Sequence, residues 1–417
     1  MVGLVIQRCI SSCESPKAAA KDVVENKLPR LPNQRDPQSH VLGHVATPTH
    51  THGIAHCPGR HEHLLTEAPP TAIKSAWVKA CSSQGNNNVL IPKGTYMSGP
   101  VLLEGKCNGP ITFQLLGLIK APVDMNSYSW FSFSHVDQLT ITGGGAFDGQ
   151  GQKAWANNNC DKDPNCKLPI SVRFDFVTNS VVQGISSINS KAFHMNVLGC
   201  KDLKFISVRI SAPENSRNTD GIHIGESTGI SVAHSIIGTG DDCISIGPGN
   251  NNLNIFDVQC GPSHGISIGS LGKYTNEEPV RGVVVQHCTL IGTDNGVRIK
   301  TWPDSPKQGI ATNLTFDDII MKNVQNPIII DQQYCPFGSC NEKKSSLIQI
   351  SKVKFNNIRG TSASPVAISI ICSKTFPCQD VEFSEINLKY NGGDTSSTTT
   401  NVKPHVSGQM FPSLLSA

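Results

Sequence analysis

The sequence predicts an all-β chain wound as a single-stranded, right-handed parallel β-helix. Three observations carry that prediction. First, one phrase recurs: Thr219-Asp220-Gly221-Ile222-His223-Ile224-Gly225 returns as Asp241-Asp242-Cys243-Ile244-Ser245-Ile246-Gly247, then as Ser263-His264-Gly265-Ile266-Ser267-Ile268-Gly269, in steps of 22 residues. A looser copy, Asp294-Asn295-Gly296-Val297-Arg298-Ile299-Lys300, comes after a further nine-residue displacement. Second, from about residue 130 to 390, apolar runs of three to six residues alternate with Gly, Asn, Asp or Ser. Third, no helix-length apolar pattern interrupts them. Helical solenoids and alternating β/α units have no room, and a coil of short parallel strands fits best.

The elements follow in order. Residues 1–69 read as an atypical, disordered leader, with Pro29, Pro32, Pro37, Pro48 and Pro58 and almost no periodicity. Seven histidines lie between His40 and His63, at no defined metal-site spacing. The stretch Met1 to Ile10 lacks a signal-peptide core followed by a small-residue cleavage site. Ile73, Ala76, Trp77 and Ala80 mark one face of a short helix starting at Thr71. Asn88 to Ile91 is a strand stopped by Pro92-Lys93-Gly94, and strands follow at Ile111 to Leu118, Phe131 to Phe133, Leu139 to Ile141 and Val172 to Phe176. The β-helix domain spans residues 70–395, and 396–417 reads as a tail.

The coil explains the phrase. Equivalent residues of successive turns stack about 4.8 Å apart. Strand alternation sends Ile222, Ile224, Ile244, Ile246, Ile266, Ile268, Val297 and Ile299 inward. It sends His223, Ser245, Ser267 and Arg298 outward. Gly225, Gly247 and Gly269 are expected to turn the chain after each strand. The nine-residue excess, roughly Leu271 to Pro279, must loop out and wall one end or side of the outward face.

Composition narrows the function. A net charge of +3 excludes a strong electrostatic nucleic-acid binder. No run of 18 apolar residues exists, so no transmembrane helix is expected. Fifteen cysteines, several closely spaced, favour a secreted, disulfide-bonded protein, and the odd number leaves at least one unpaired within the chain.

Repetition gathers Asp220, Asp241, Asp242 and His264 within adjacent turns, with Arg298 and Lys300 a turn further on. Stacked like charges destabilise one another, so their proton affinities should separate. A calcium cage would not suit the neighbouring His, Arg and Lys, which favour an anionic ligand. Paired carboxylates beside an anion-reading Arg and Lys suggest hydrolysis of a glycosidic bond in an acidic polysaccharide. A lyase and a catalytically silent carbohydrate-binding β-helix remain the alternatives.

At this point the residues resemble a family. Asn218-Thr219-Asp220, Gly240-Asp241-Asp242-Cys243, Ser263-His264-Gly265 and Arg298-Ile299-Lys300 look like the four signature blocks of the polygalacturonases, the family 28 glycoside hydrolases. The resemblance covers roughly residues 70 to 395 and implies the pectin-lyase-like solenoid. The segments Ser211 to Asp220 and Ser270 to Glu277 look like plant members. Gly149 to Trp155, with Cys160 and Cys166, is most similar to the pollen-type exopolygalacturonases.

Carried over residue by residue, the resemblance implies Asp241 as general acid. It implies Asp220 and Asp242 as the pair that holds and deprotonates water, with His264 supporting the acid and touching substrate. Arg298 and Lys300 look like the galacturonate-binding pair. Tyr334 resembles a substrate-contacting tyrosine, and Asn218 binds sugar or orients the catalytic loop. His194 either lines the groove or is a satisfied edge histidine. The implied disulfides are Cys243–Cys260, Cys372–Cys378, Cys335–Cys340 and Cys81–Cys107.

The implied activity is inverting hydrolysis of α-1,4-galacturonosyl bonds in polygalacturonate, exo-acting and releasing galacturonate; endo action is the alternative. The expected working form is a monomer with no cofactor or metal. It would bind pectin or homogalacturonan in the cell wall or apoplast, and neither nucleic acid nor membrane. One departure stands out: the strand that precedes the helix in plant members is missing from residues 1–69, so the end of the coil would lose part of its cap.

Overall fold

A computed structural model describes residues 3–5, 66–67, 70–158, 168–336, 338, 340–341, 343–390 and 393–414. The His40–His63 tract, Cys160 and Cys166 lie outside the described residues. The chain forms a right-handed parallel β-helix, and the described residues place its strands in a 20-stranded and an 11-stranded sheet. All strand-to-strand ladders in both sheets are parallel, for example Ile222–Gly225 against Ile244–Ile246 and Ile244–Ile246 against Ile266–Leu271.

The apolar half of each copy of the phrase forms a strand of the 11-stranded sheet, and the polar half is the turn that leads into it. Ile222, Ile244, Ile266, Val297 and Ile328 align in successive rungs. The outward column aligns equally: His223, Ser245, Ser267 and Arg298. The inward isoleucines are fully buried, as the alternation requires. Burying one such side chain contributes about 1.5–3 kcal/mol. Aromatic side chains continue the stacking elsewhere, with Phe316, Phe355 and Phe383 face to face at 5.2 and 5.0 Å.

The helix forms at Pro70–Ser82, and its four expected apolar residues are all buried. Trp77 packs edge-on against Phe133 at 5.8 Å and donates its indole N–H to the Glu104 carbonyl at 2.9 Å. This places the helix over the first rungs as a cap.

Several expectations are corrected. Residues 1–69 are not without strands: Gly3–Val5 pairs in parallel with Asn88 to Leu90, and Thr66–Glu67 pairs with Tyr96 and Met97. Segments of three and two residues carry too little periodicity to be seen. Residues 396–417 are not simply a tail, since Ser396–Thr400 and His405–Phe411 add strands to the two sheets. A short helix, Gln152–Ala156, interrupts the strand series. Of the three glycines expected to turn the chain, only Gly269 has a positive φ, 101°. Gly265 is just as constrained, at φ 88°: a Cβ there would sit 2.1 Å from the Asn295 carbonyl oxygen, as one on Gly269 would from that of Lys300. Many bends instead use Asn, Asp or His in the left-handed region. Asn252, Asp257, His287, Asn313 and Asp318 all lie between φ 51° and 62°.

All four implied disulfides are present: Cys81–Cys107, Cys243–Cys260, Cys335–Cys340 and Cys372–Cys378. Cys200 and Cys288 are buried free thiols, pushed up to about 12 by burial. Cys243–Cys260 closes 17 residues beside the aspartates. Replacing both by Ser is expected to cost about 3 kcal/mol, read as a lower midpoint in guanidinium.

Candidate active site

The three aspartates sit in the turns that lead into Ile222–Gly225 and Ile244–Ile246. Thr219 ties these turns together: its hydroxyl donates to the Ser216 carbonyl at 2.7 Å and accepts from the Gly240 N–H at 3.0 Å. The turns are therefore fixed by buried polar bonds, which hold the carboxyls in place.

Asp242 is 2% exposed. Its Oδ1 accepts from Ser267 Oγ at 2.7 Å and from Arg298 at 3.0 Å, and its Oδ2 accepts from Lys300 Nζ at 2.9 Å. Burial alone would raise its proton affinity. The Lys300 and Arg298 charges, with the hydrogen bonds from Lys300 and Ser267, outweigh burial and hold the carboxyl below 3.8.

Asp220 has the opposite bias. Burial first, then the charges of Asp241 and Asp242, push it well above 3.8. Ser245 Oγ donates to its Oδ2 at 2.6 Å and also contacts His223 Nδ1 at 2.8 Å. Burial lowers His223 to about 4, so this imidazole is neutral at neutral pH. Phe193 stacks on it at 4.9 Å.

Asp241 is the open member of the group, with 21% of its side chain exposed against 3% for Asp242. Its Oδ1 lies 3.1 Å from His264 Nδ1 and accepts the Asp242 backbone N–H at 2.8 Å. Asn218 Nδ2 reaches its Oδ2 at 3.5 Å, and Asn158 donates to Asn218 Oδ1 at 3.1 Å. The other ring nitrogen of His264 faces Asp294 at 3.4 Å. The hydrogen bond with Asp241, opposed by burial and helped by the nearby carboxylate charges, raises His264 above 6.5.

The structure thus brings Asp220, Asp241, Asp242, His264, Arg298, Lys300 and Asn218 into one cluster. Arg298 and Lys300 do not stand free: both are paired with Asp242. Tyr334 lies over them, its ring centroid 5.9 Å from the Arg298 guanidinium carbon and 5.2 Å from Lys300 Nζ. His194 does not line the cleft. It is fully buried, with Nδ1 2.9 Å from Ser187 Oγ and Nε2 without a partner among the described residues, and burial lowers it to about 3. Ligand atoms of Asp241, Asp242 and His264 lie within 4.8 Å of one another, but both Asp242 oxygens already contact cations. Sequence reasoning missed the work of Ser245, Ser267 and His223; their outward register was the signal.

A parallel β-helix that gathers carboxylates of unequal proton affinity beside a histidine and two cations is suited to acid–base catalysis. Residues 81–409 match the family described as Glycosyl hydrolases family 28, and the chain belongs to that family of glycoside hydrolases. It is 53% identical over 350 residues to an exopolygalacturonase of Platanus acerifolia, covering 82% of this chain and 93% of that one. It is 48% identical to a polygalacturonase of Gossypium hirsutum over 342 residues, 81% of this chain and 84% of that one. An endo-xylogalacturonan hydrolase from Aspergillus tubingensis shares the fold at a TM-score of 0.72 and 25% identity, over 82% of this chain and 95% of that one.

Proposed function

We propose that the protein hydrolyses α-1,4-galacturonosyl bonds in polygalacturonate, with Asp241 as the general acid. The carrying observation is the arrangement of three neighbouring carboxyls: Asp242 is ion-paired with Arg298 and Lys300, which lowers its proton affinity, Asp220 is buried beside two other carboxyls, which raises its own, and Asp241 is the exposed one. In a coupled cluster the proton belongs to the group rather than to one residue. Asp241 is where that proton can meet a glycosidic oxygen, because Asp220 and Asp242 are buried. The reading requires the proton to reach Asp241 when substrate binds, with Asp220 and Asp242 holding and activating the water. Single displacement by that water inverts the anomeric centre.

His264, between Asp241 and Asp294, supports the acid. Its raised proton affinity sets the sign of a pH effect: the protonated ring persists past 6.5 and is lost as pH rises further. The alkaline limb of kcat/KM is expected above pH 6.5, and His264→Gln should remove that limb while lowering activity. A limb unchanged in the variant assigns it to another group.

Exo action is part of the proposal. The similarity to the Platanus exopolygalacturonase supports it, as does the sequence likeness of Gly149 to Trp155 to pollen-type enzymes. The Gln152–Ala156 segment also supports it, because Trp155 anchors on the Ser190 carbonyl at 2.8 Å and Asn158 reaches Asn218 beside the acid. A wall at that point would leave room only for a chain end. Purified protein on polygalacturonate should release galacturonate alone at early times; a spread of oligomers means endo action, and no product means a silent binder. Arg298, Lys300, Asn218 and Tyr334 would contact the sugars nearest the cleaved bond. The four disulfides support an oxidising destination, and we place the protein in the cell wall, on pectin.

A further inference from the structure

We propose that Lys273 and Trp302 form an accessory subsite for an anionic sugar residue, one ring beyond the pair at the cleavage point. The inference rests on the functional reading above. The loop between Leu271 and Val280 carries Lys273 beside the rungs that follow His264. Its ammonium lies 5.0 Å from the Trp302 ring centroid and 5.4 Å from that of Tyr274. Among the described residues Lys273 makes no ion pair, unlike Arg298 and Lys300. It is an exposed cation over two aromatic faces, available to a carboxylate.

The shelf is continuous with the catalytic cluster. Tyr334 lies over Lys300 and meets Trp302 edge-on at 6.0 Å. Asp242, Lys300, Tyr334, Trp302 and Lys273 therefore form one line of contacts. A cavity of about 190 Å³ opens at its end, lined by Gly272, Lys273, Trp302, Pro303, Asp304 and Asn341. That is smaller than a drug-sized pocket and suits a single ring. The cavity's carboxylate, Asp304, is paired with Lys344 at 2.7 Å, so it does not oppose an anion unscreened.

The loop is also fixed in place. The Glu277 carboxylate accepts the backbone N–H groups of Gly272, Lys273 and Tyr274, at 2.9 Å for the latter two. Trp302 is held by its indole N–H to Ser270 Oγ at 2.9 Å. Preorganisation of this kind reduces the ordering cost of binding. The two aromatic rings hold the ammonium in place, and the ammonium meets the sugar's carboxylate.

The test compares digalacturonate, which fills only the cleavage pair, with trigalacturonate. Lys273→Glu changes an exposed residue, so folding is not at risk; Trp302→Ala is the second variant. In each, the trimer-to-dimer ratio of kcat/KM is expected to fall about tenfold, the scale of one lost favourable contact. A ratio unchanged in both variants overturns the subsite. Where the parent protein cleaves neither oligomer, the functional reading is judged by its activity on polygalacturonate and the subsite by calorimetric binding of trigalacturonate to Asp241→Asn. Weaker binding on adding Lys273→Glu supports it, and equal binding overturns it.

Discussion

Asp241→Asn is expected to lower kcat on polygalacturonate by about 10²–10⁴-fold, the usual contribution of a positioned general acid. The amide keeps the shape of the side chain and can still face His264, but it carries no transferable proton. Asp241 is also the open member of the cluster, so its loss removes little buried interaction. The thermal midpoint should therefore stay near that of the parent. Activity within a few-fold of the parent would remove Asp241 from the chemistry. A large fall in stability alongside lost activity would instead make it structural.

The second large effect is a pair of opposite stability changes on neighbouring aspartates. Asp220 is held well above 3.8 by burial and by the charges of Asp241 and Asp242. Its folded form binds the proton more tightly than its unfolded form. Stability from this group is therefore full below 3.8 and is lost as pH rises toward the folded value. Asp220→Asn removes that loss and is expected to stabilise the fold by about 1 kcal/mol at neutral pH while abolishing hydrolysis. The gain should vanish below pH 3.8.

Asp242 behaves in the reverse sense. Its folded value lies below 3.8, so its contribution is present above 3.8 and is lost as pH falls through the folded value. Asp242→Asn leaves Arg298 and Lys300 buried without their carboxylate, at a cost of about 3–5 kcal/mol. Guanidinium unfolding of both variants at neutral pH checks the signs. Two changes of the same sign would contradict the charge assignment.

Much of this was legible in the chain. The 22-residue repeat states the register, because apolar residues at alternate positions can only face one core. Asp220, Asp241, Asp242 and His264 follow from that register. What the repeat does not state is pairing across rungs. Arg298 and Lys300 read as outward cations for substrate, whereas the coil aims both at Asp242 from two rungs away. Ser245 and Ser267 read only as outward residues, whereas each serves the aspartate that enters the preceding rung. The same limit hid Gly3–Val5, whose partner strand lies more than 80 residues further along the chain. Local pattern specifies which way a residue faces, and only the wound coil specifies what it meets.

The central claim is that three stacked aspartates divide a single-displacement hydrolysis between an acid and a water-holding pair. Proton NMR of the galacturonate released in the first moments of reaction tests it most directly. The α-linked substrate should give the β anomer first, with the α anomer appearing only by later mutarotation. An α anomer at the outset, or an unsaturated uronide in place of a saturated sugar, would contradict the account.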